Sequence, residues 1–304
     1  MCAYETISHA SSIRHLAHYQ CYNVLARILR INSRKCILTL KLLKSTQPTN
    51  DFIGHATATD LDIRVSTQVD AIGNPGKHYH ECANLVFILE GRCLEKRQFQ
   101  SFERRGADLA FLHAGEMHET TFTGLPTKYI SLDIKPETFT ENNISENSIL
   151  NTISKSPDAK FLILKIYAEL LYHDEFSADS IKMLFLKFAS LSQIVGHIRT
   201  PPAWVTVVYE FLNDKWNEHI TLKQLSEASG VNPITISKHF PSYFACTLGS
   251  YVRKLRVERS LSLMKNENIS LTEIAYSCNF SDQSHFIRNF KYYTALSPKQ
   301  YRKL

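Results

Sequence analysis

No stretch of the 304 residues approaches the 18 or more consecutive apolar side chains of a membrane-spanning helix, so no membrane partner is expected. The amino-terminal region also lacks the small-residue cleavage site and the sustained apolar run of a secretory leader. Seven cysteines stand at positions 2, 21, 36, 82, 93, 246 and 278, but none forms a CxxC pair or a regular framework. The expectation is therefore reduced thiols in a cytoplasmic protein rather than a disulfide scaffold.

What is present begins with length and charge. The chain is too long for one small domain and suits two, and 44% hydrophobic residues supply material for two cores. The formal net charge of +6 is unevenly spread: residues 1–50 carry +6, residues 51–203 carry −5 and residues 204–304 carry +5. The C-terminal excess suits a polyanionic partner, while the acidic middle argues against the whole chain coating nucleic acid.

The most informative stretch is the last, SLTEIAYSCNFSDQSHFIRNFKYYTALSPKQY, residues 270–301. Ser270 with Glu273 has the form of a capping box, so a helix is expected to start at Leu271, with Ile274, Ala275 and Cys278 inward. Asn279 stands where the chain must turn, and Ser281 is the expected cap of a second helix that buries Phe286 and Phe290. Two short helices around a tight turn make a helix-turn-helix whose second helix turns Gln283, Ser284, Ile287 and Arg288 outward. Gln pairs bidentately with adenine and Arg with guanine, and an aliphatic tip meets a thymine methyl. A polar, merely solvated helix face is the alternative reading of the same residues.

A second copy upstream favours the nucleic-acid reading. Thr221 with Gln224 repeats the capping box, Gly230 sits at the turn, and Asn232 caps a helix with Pro233 at its first position. Ile236 and Phe240 face inward there, leaving Ile234, Thr235, Ser237 and Lys238 outside. Between the copies, Leu248, Tyr251, Val252, Leu255, Leu263 and Met264 predict one helix of about 18 residues, roughly 27 Å long. Such a rod sets two recognition helices about one DNA turn apart, and Arg253, Lys254 and Arg256 on it are candidate phosphate contacts.

Residues 204–304 resemble the DNA-binding domain of AraC/XylS-type transcriptional regulators, and IAYSCNFSDQSHFIRNFKYYTALSPKQYR matches the signature of its second helix-turn-helix. The resemblance implies base contacts at Ile234, Thr235, Ser237 and Lys238 in the first module and at Gln283, Ser284, Ile287 and Arg288 in the second. Three departures stand out. Pro241 replaces a usual basic residue and is expected to end the first recognition helix after about two turns; Ala245 and Ala295 replace turn glycines; Arg259 replaces an alanine.

From about Asp51, short runs such as LDIRV, NLVFILEG, DLAFLHAG and KYISLDI, punctuated by Gly73, Gly76, Gly91, Gly106 and Gly115, predict a barrel or jelly roll. Residues 51–135 are similar to the cupin-like effector domain that precedes the DNA-binding domain in many such regulators. His78 and His80, at i and i+2 on one strand face, with His118 from a neighbour, are the candidate metal ligands. Metal-binding cupins place a glutamate after the histidine pair, whereas this chain has Asn84 four residues after His80, so no metal is expected and the histidines line a turn or a polar pocket wall. An effector pocket is expected inside the barrel, with His80, Phe87, Phe111, His118 and Tyr129 as candidate walls or plain core.

Residues 136–199 open with the loop-like ENNISENSILN and continue with helical spacing in FLILKIYAELLYHDEF and ADSIKMLFLKFASLSQIVGHI. By the resemblance these helices pair subunits, with Leu164, Leu171, Leu184 and Phe188 as candidates; packing against the barrel is the alternative. Thr200, Pro201 and Pro202 read as a linker across residues 200–203. The basic first fifty residues admit three readings: a helix packed on the next domain, a flexible arm, or an extension ahead of the family-like region.

The combined expectation is an α+β chain: a cupin-like jelly roll, a helical segment and an all-α domain with two helix-turn-helix motifs. It is a cytoplasmic, sequence-specific DNA-binding regulator, more in keeping with an activator, with a small-molecule effector, a homodimeric partner and RNA polymerase as expected partners and with no cofactor. The rivals are a metal-dependent cupin enzyme using His78, His80 and His118, and a constitutive DNA-binding protein with a purely structural barrel.

Overall fold

The computed structural model describes residues 50–58, 61–69, 76–172, 174–196 and 201–304. The readings of the basic segment before Asn50 and of Gly73 lie outside the described residues.

Six strands make one antiparallel sheet: β1 (Asn50–Ala58), β2 (Leu61–Gln68), β3 (Ala83–Arg97), β4 (Ser101–Arg105), β5 (Leu109–Leu112) and β6 (His118–Ile134). Their order is β1-β2-β6-β3-β4, with β5 also paired to β3. One edge of β3 is held along its length by β6, while the other is taken first by β5 and then by β4. Irregularities between Ile88 and Cys93 bend β3 at the point where it changes partner. Gly91 sits at this bend with φ +84°, and a Cβ there would lie 2.4 Å from Thr127 Oγ1, so glycine is required both for the conformation and for the space.

Strand alternation divides the sheet into two apolar faces. Leu61, Ile63, Val65, Leu85, Phe87, Leu89, Leu109, Phe111, Ile130, Leu132 and Ile134 point to one side and join the main core. Arg64, Ser66, Asn84, Val86, Ile88, Ala110, Leu112, Tyr129 and Ser131 point to the other and line a cavity. Of the two readings open for Phe87 and Phe111, pocket wall or plain core, the second holds: each lies one residue out of phase with the cavity face, and they are 0% and 2% exposed respectively.

Four helices follow: α1 (Pro136–Glu141), α2 (Glu146–Lys155), α3 (Asp158–Leu171) and α4 (Ser177–Gly196). The stretch ENNISENSILN is mostly helix rather than loop, because the Ser145 side chain caps α2 by accepting from the Ser148 N–H and Ile149 and Thr152 are buried. Leu164, Leu184 and Phe188 are buried within this chain's own core, and of the four candidates for subunit pairing Leu171 alone is exposed.

The C-terminal part contains α5 (Ala203–Asp214), α6 (Leu222–Ser229), α7 (Pro233–Phe244), α8 (Leu248–Leu263), α9 (Leu271–Ser277), α10 (Gln283–Thr294) and α11 (Pro298–Arg302). The connecting helix α8 has 16 residues, about 24 Å. Its two halves belong to different cores. Tyr251, Val252 and Leu255 join Val208, Leu212, Leu225, Ile236 and Phe240 in a small core under α5 to α7. Val257, Leu261 and Met264 join Ile274, Phe286, Phe290 and Tyr301 in the same continuous core that holds the sheet and α3.

The junction of α3 with α8 and α10 combines ion pairs with an aromatic stack. Asp158 accepts from Lys254 at 2.5 Å, Glu258 accepts from Lys160 at 2.5 Å, and Phe161 stacks on Tyr293 with ring centroids 5.4 Å apart. Lys265 projects from the end of α8 over the Tyr301 ring at 4.8 Å, and burial, opposed by Glu90, brings its pKa down to about 8.

Candidate nucleic-acid interface and effector cavity

Local chemistry builds both helix pairs as their capping residues dictate. In the first, Thr221 Oγ1 accepts from the Gln224 N–H at 3.3 Å and Gln224 Oε1 accepts from the Thr221 N–H at 2.8 Å. Gly230 ends α6 at φ +69°, and the Asn232 carboxamide oxygen accepts from the Ile234 N–H at 2.9 Å to start α7. In the second pair, Ser270 Oγ accepts from the Glu273 N–H at 3.1 Å, the Glu273 carboxylate accepts from the Ser270 N–H at 2.7 Å, and Asn279 turns the chain at φ +54°.

Two expectations about the recognition helices are corrected. The cap of α10 is Asp282, whose carboxylate accepts from the His285 N–H at 2.7 Å; that bond holds the Asp282 pKa below the ordinary carboxylate value. Ser281 instead contacts the Asp282 carboxylate and the His285 ring. Nor does Pro241 end α7, which runs on to Phe244. The missing N–H forfeits one backbone bond, and that loss is offset by Phe244, which stacks on Phe240 at 4.0 Å and meets Tyr251 edge-on at 5.0 Å. Ala245 and Ala295 end α7 and α10 in left-handed conformations, φ +54° and +61°, where glycine carries no steric penalty.

The two recognition helices bury Ile236 and Phe240, and Phe286 and Phe290, and turn their first turns outward. Thr235, Ser237, Lys238, Ser284 and Arg288 are exposed, and Ile234 is 77% exposed. Ile234 stands beside an open groove with Leu222, Pro233, Ser237 and Lys238. Gln283 and Ile287 are half-buried; Gln283 accepts from the Thr272 hydroxyl at 2.8 Å, and Ile287 packs partly on the core.

The proposed phosphate contacts divide. Arg253 is half-buried at the start of α8. Lys254 is engaged with Asp158, and its pKa is raised because that carboxylate outweighs the burial that opposes it. Arg256 donates to the carbonyls of Trp216, Glu218 and Asn279 at 3.1, 2.8 and 2.7 Å, tying the loop after α5 to the turn of the second helix pair. Lys254 and Arg256 are therefore corrected from phosphate contacts to structural ones: cationic side chains on a helix read alike in sequence whether their partner is DNA or another part of the chain.

Behind the sheet, the second apolar face encloses a cavity of about 260 Å³. His80, His118 and Tyr129 line it as expected, together with His78. Strand alternation, counted from Asn84 and Tyr129, would have added Val86, Ile88, Ala110 and Leu112; Arg64, Glu95 and Arg104 carry no such signal. Glu95 accepts from Arg97 at 2.6 Å and Arg104 at 3.3 Å, and Asp133 pairs with Arg64 and Asn84. Burial pushes the Cys93 thiol in the cavity wall up to about 11, so it stays protonated at neutral pH.

At one end of the cavity His78 and His118 form an isolated antiparallel bridge, and a ring nitrogen from each of His78, His80 and His118 lies within 4.8 Å of the others. The donor set fits a transition metal in one respect and departs in another. His78 Nδ1 lies 2.8 Å from the Gly76 carbonyl and His118 Nδ1 3.0 Å from the Glu116 carbonyl. A carbonyl only accepts, so both Nδ1 atoms donate in these contacts. Burial, then the charges of His118 and His78, lower the His80 pKa. The departure is that the group contains no carboxylate.

Comparison with known proteins agrees with the helical geometry. A helix-turn-helix domain family matches residues 225–304. The HTH-type transcriptional regulator YdeC of Bacillus subtilis is 21% identical over 250 residues, covering 75% of this chain and 86% of that protein. The probable transcription factor PqrA of Proteus vulgaris is 31% identical over 87 residues, 29% of this chain and 71% of that protein. The HTH-type transcriptional activator RhaS of an Enterobacter species is 23% identical over 121 residues, 40% of this chain and 44% of that protein. No helix among the described residues is long and apolar enough to cross a membrane. With paired capped helices, outward first turns and relatives that are transcription regulators rather than enzymes, this chain belongs to the AraC/XylS family of DNA-binding transcriptional regulators.

Proposed function

We propose that this regulator reads a bipartite DNA site with α7 and α10, using Ile234, Thr235, Ser237 and Lys238 on one half and Gln283, Ser284, Ile287 and Arg288 on the other. The exposed Ile234 at the front of α7 is the observation that carries the reading, because thymine methyl contact is the use for an apolar tip on a polar helix face. Arg253 meets a phosphate. The cavity behind the sheet takes a small effector, and its occupancy reaches DNA through α3, which shares one core with the sheet and α10. The protein works in the cytoplasm as a homodimer that recruits RNA polymerase, and the activator RhaS among its relatives supports a positive sign.

Selection of duplexes from a random pool by the full chain, followed by footprinting, tests this. Two protected patches about one helical turn apart are expected. Failure to enrich any sequence at low ionic strength contradicts it. A thermal-shift screen tests the effector, since a ligand of the native state must raise its stability.

A further inference from the structure

We infer that Arg256 is a positioning residue for DNA reading: it clasps the two helix-turn-helix modules to each other and thereby fixes the half-site spacing that the chain accepts. The inference rests on the proposed bipartite reading in one respect only, that α7 and α10 engage one duplex together.

The need for a clasp follows from the cores. The first module closes on Tyr251, Val252 and Leu255, and the second on Val257, Leu261 and Met264, so the modules share α8 but not a core. A helix of 16 residues fixes a separation of about 24 Å along its axis. As a single connection it leaves the bend and swivel of the first module, about the changeover from Leu255 to Val257, to be set by other contacts. Arg256 stands at that changeover.

Its guanidinium donates through Nε to the Trp216 carbonyl at 3.1 Å and through Nη2 to the Glu218 carbonyl at 2.8 Å, both just beyond α5 in the first module. Through Nη1 it donates to the Asn279 carbonyl at 2.7 Å, in the turn of the second. Three charge-assisted bonds from one planar fork define an orientation, which a single ammonium on a flexible stem does not. Two neighbours reinforce the seam. Trp216 packs partly against both cores, and Arg259, three residues on along α8, donates to Asn213 Oδ1 near the end of α5 at 3.3 Å.

DNA sets how exact this placement must be. Each base pair added between two half-sites moves them about 3.4 Å along the duplex and about 35° around it. A module held by Arg256 meets a displaced half-site out of phase, whereas a released module follows it at the expense of affinity on the matched site.

The test has two arms on the full chain. Without DNA, double electron-electron resonance between nitroxide labels at positions 237 and 284 is expected to give one narrow distance distribution, and one at least about twice as wide in Arg256→Met. With DNA and no labels, affinity is measured for the selected site and for the same site with one base pair inserted or removed between the protected patches. The unsubstituted chain is expected to lose at least about tenfold on either change, Arg256→Met about threefold or less, and Arg256→Lys an amount between them. Thr221→Ala weakens the first module through its cap without touching the clasp, so its spacing penalty should equal that of the unsubstituted chain.

An Arg256→Met chain with an intact far-UV spectrum and an unchanged distance distribution overturns the clasp. A distribution that widens while the spacing penalty stays intact overturns the spacing role, as does a penalty lost equally in Thr221→Ala. Where Arg256→Met does not fold, Arg256→Lys, which keeps the cation, carries both arms. A distribution that widens while the unsubstituted chain already tolerates the extra base pair upholds the clasp and refutes the bipartite reading instead.

Discussion

The two helix-turn-helix modules start from nearly the same local instructions and end in different mechanical settings. Both have a capping box on the first helix and a left-handed turn residue, Gly230 in one and Asn279 in the other. The first module, however, closes its own small core around Phe240 and Tyr251, whereas the second inserts Phe286, Phe290 and Tyr293 into the core that also contains the sheet. Equivalent sequence cues thus specify the recognition unit but not what it is attached to. On the proposed effector reading, the unit that a ligand behind the sheet would move is the second, which shares its core.

Substitutions that strike the shared core should separate the modules most. Phe161→Ala removes the ring stacked on Tyr293 and should cost about 3–5 kcal/mol in denaturant unfolding. The second module should lose hydrogen-exchange protection together with the sheet, while Phe240→Ala, of similar cost, should strip protection from α6 and α7 first.

A change of opposite sign is expected at Lys265, whose ammonium is kept in a place that favours the neutral amine. The folded pKa of about 8 lies below the ordinary 10.5, so the charge opposes folding most fully below pH 8, and that cost fades as pH rises toward 10.5. Lys265→Met should therefore stabilise the chain by about 1–3 kcal/mol at pH 7 and by progressively less above pH 8. A gain independent of pH would show that the charge is not the cause.

Smaller effects sharpen the DNA side. Arg288→Ala should weaken the selected site by about 1–3 kcal/mol and relax preference at one base pair. Arg253→Ala should weaken all sequences alike and lower the salt slope by about one unit. Smallest of all, Thr221→Ala and Ser270→Ala should each cost about 1 kcal/mol by thermal unfolding.

Much of this arrangement was legible in the chain before any coordinates. Capping residues act over three or four positions, so Thr221, Asn232 and Ser270 announced their helices correctly, and alternating strands in LDIRV and KYISLDI placed the sheet. What escaped was decided at long range. Pro241 lies inside a helix because Phe244 finds Phe240 and Tyr251. Lys254 and Arg256 carry ordinary surface charges whose partners, Asp158 and the carbonyls of residues 216, 218 and 279, are distant in sequence. Which face Phe87 and Phe111 take is not legible in the sequence because both faces of β3 and β5 are apolar, which removes the contrast that normally reveals phase.

The central claim is that the second recognition helix belongs to the core of the sheet while the first stands on its own. Native-state hydrogen exchange on the full chain reads this directly, as the free energy of opening of each element. The account predicts that α9 and α10 open together with β3 and β6, and that α6 and α7 open separately and at lower cost. If α9 and α10 instead exchange together with α6 and α7 while the sheet stays closed, the shared core is contradicted.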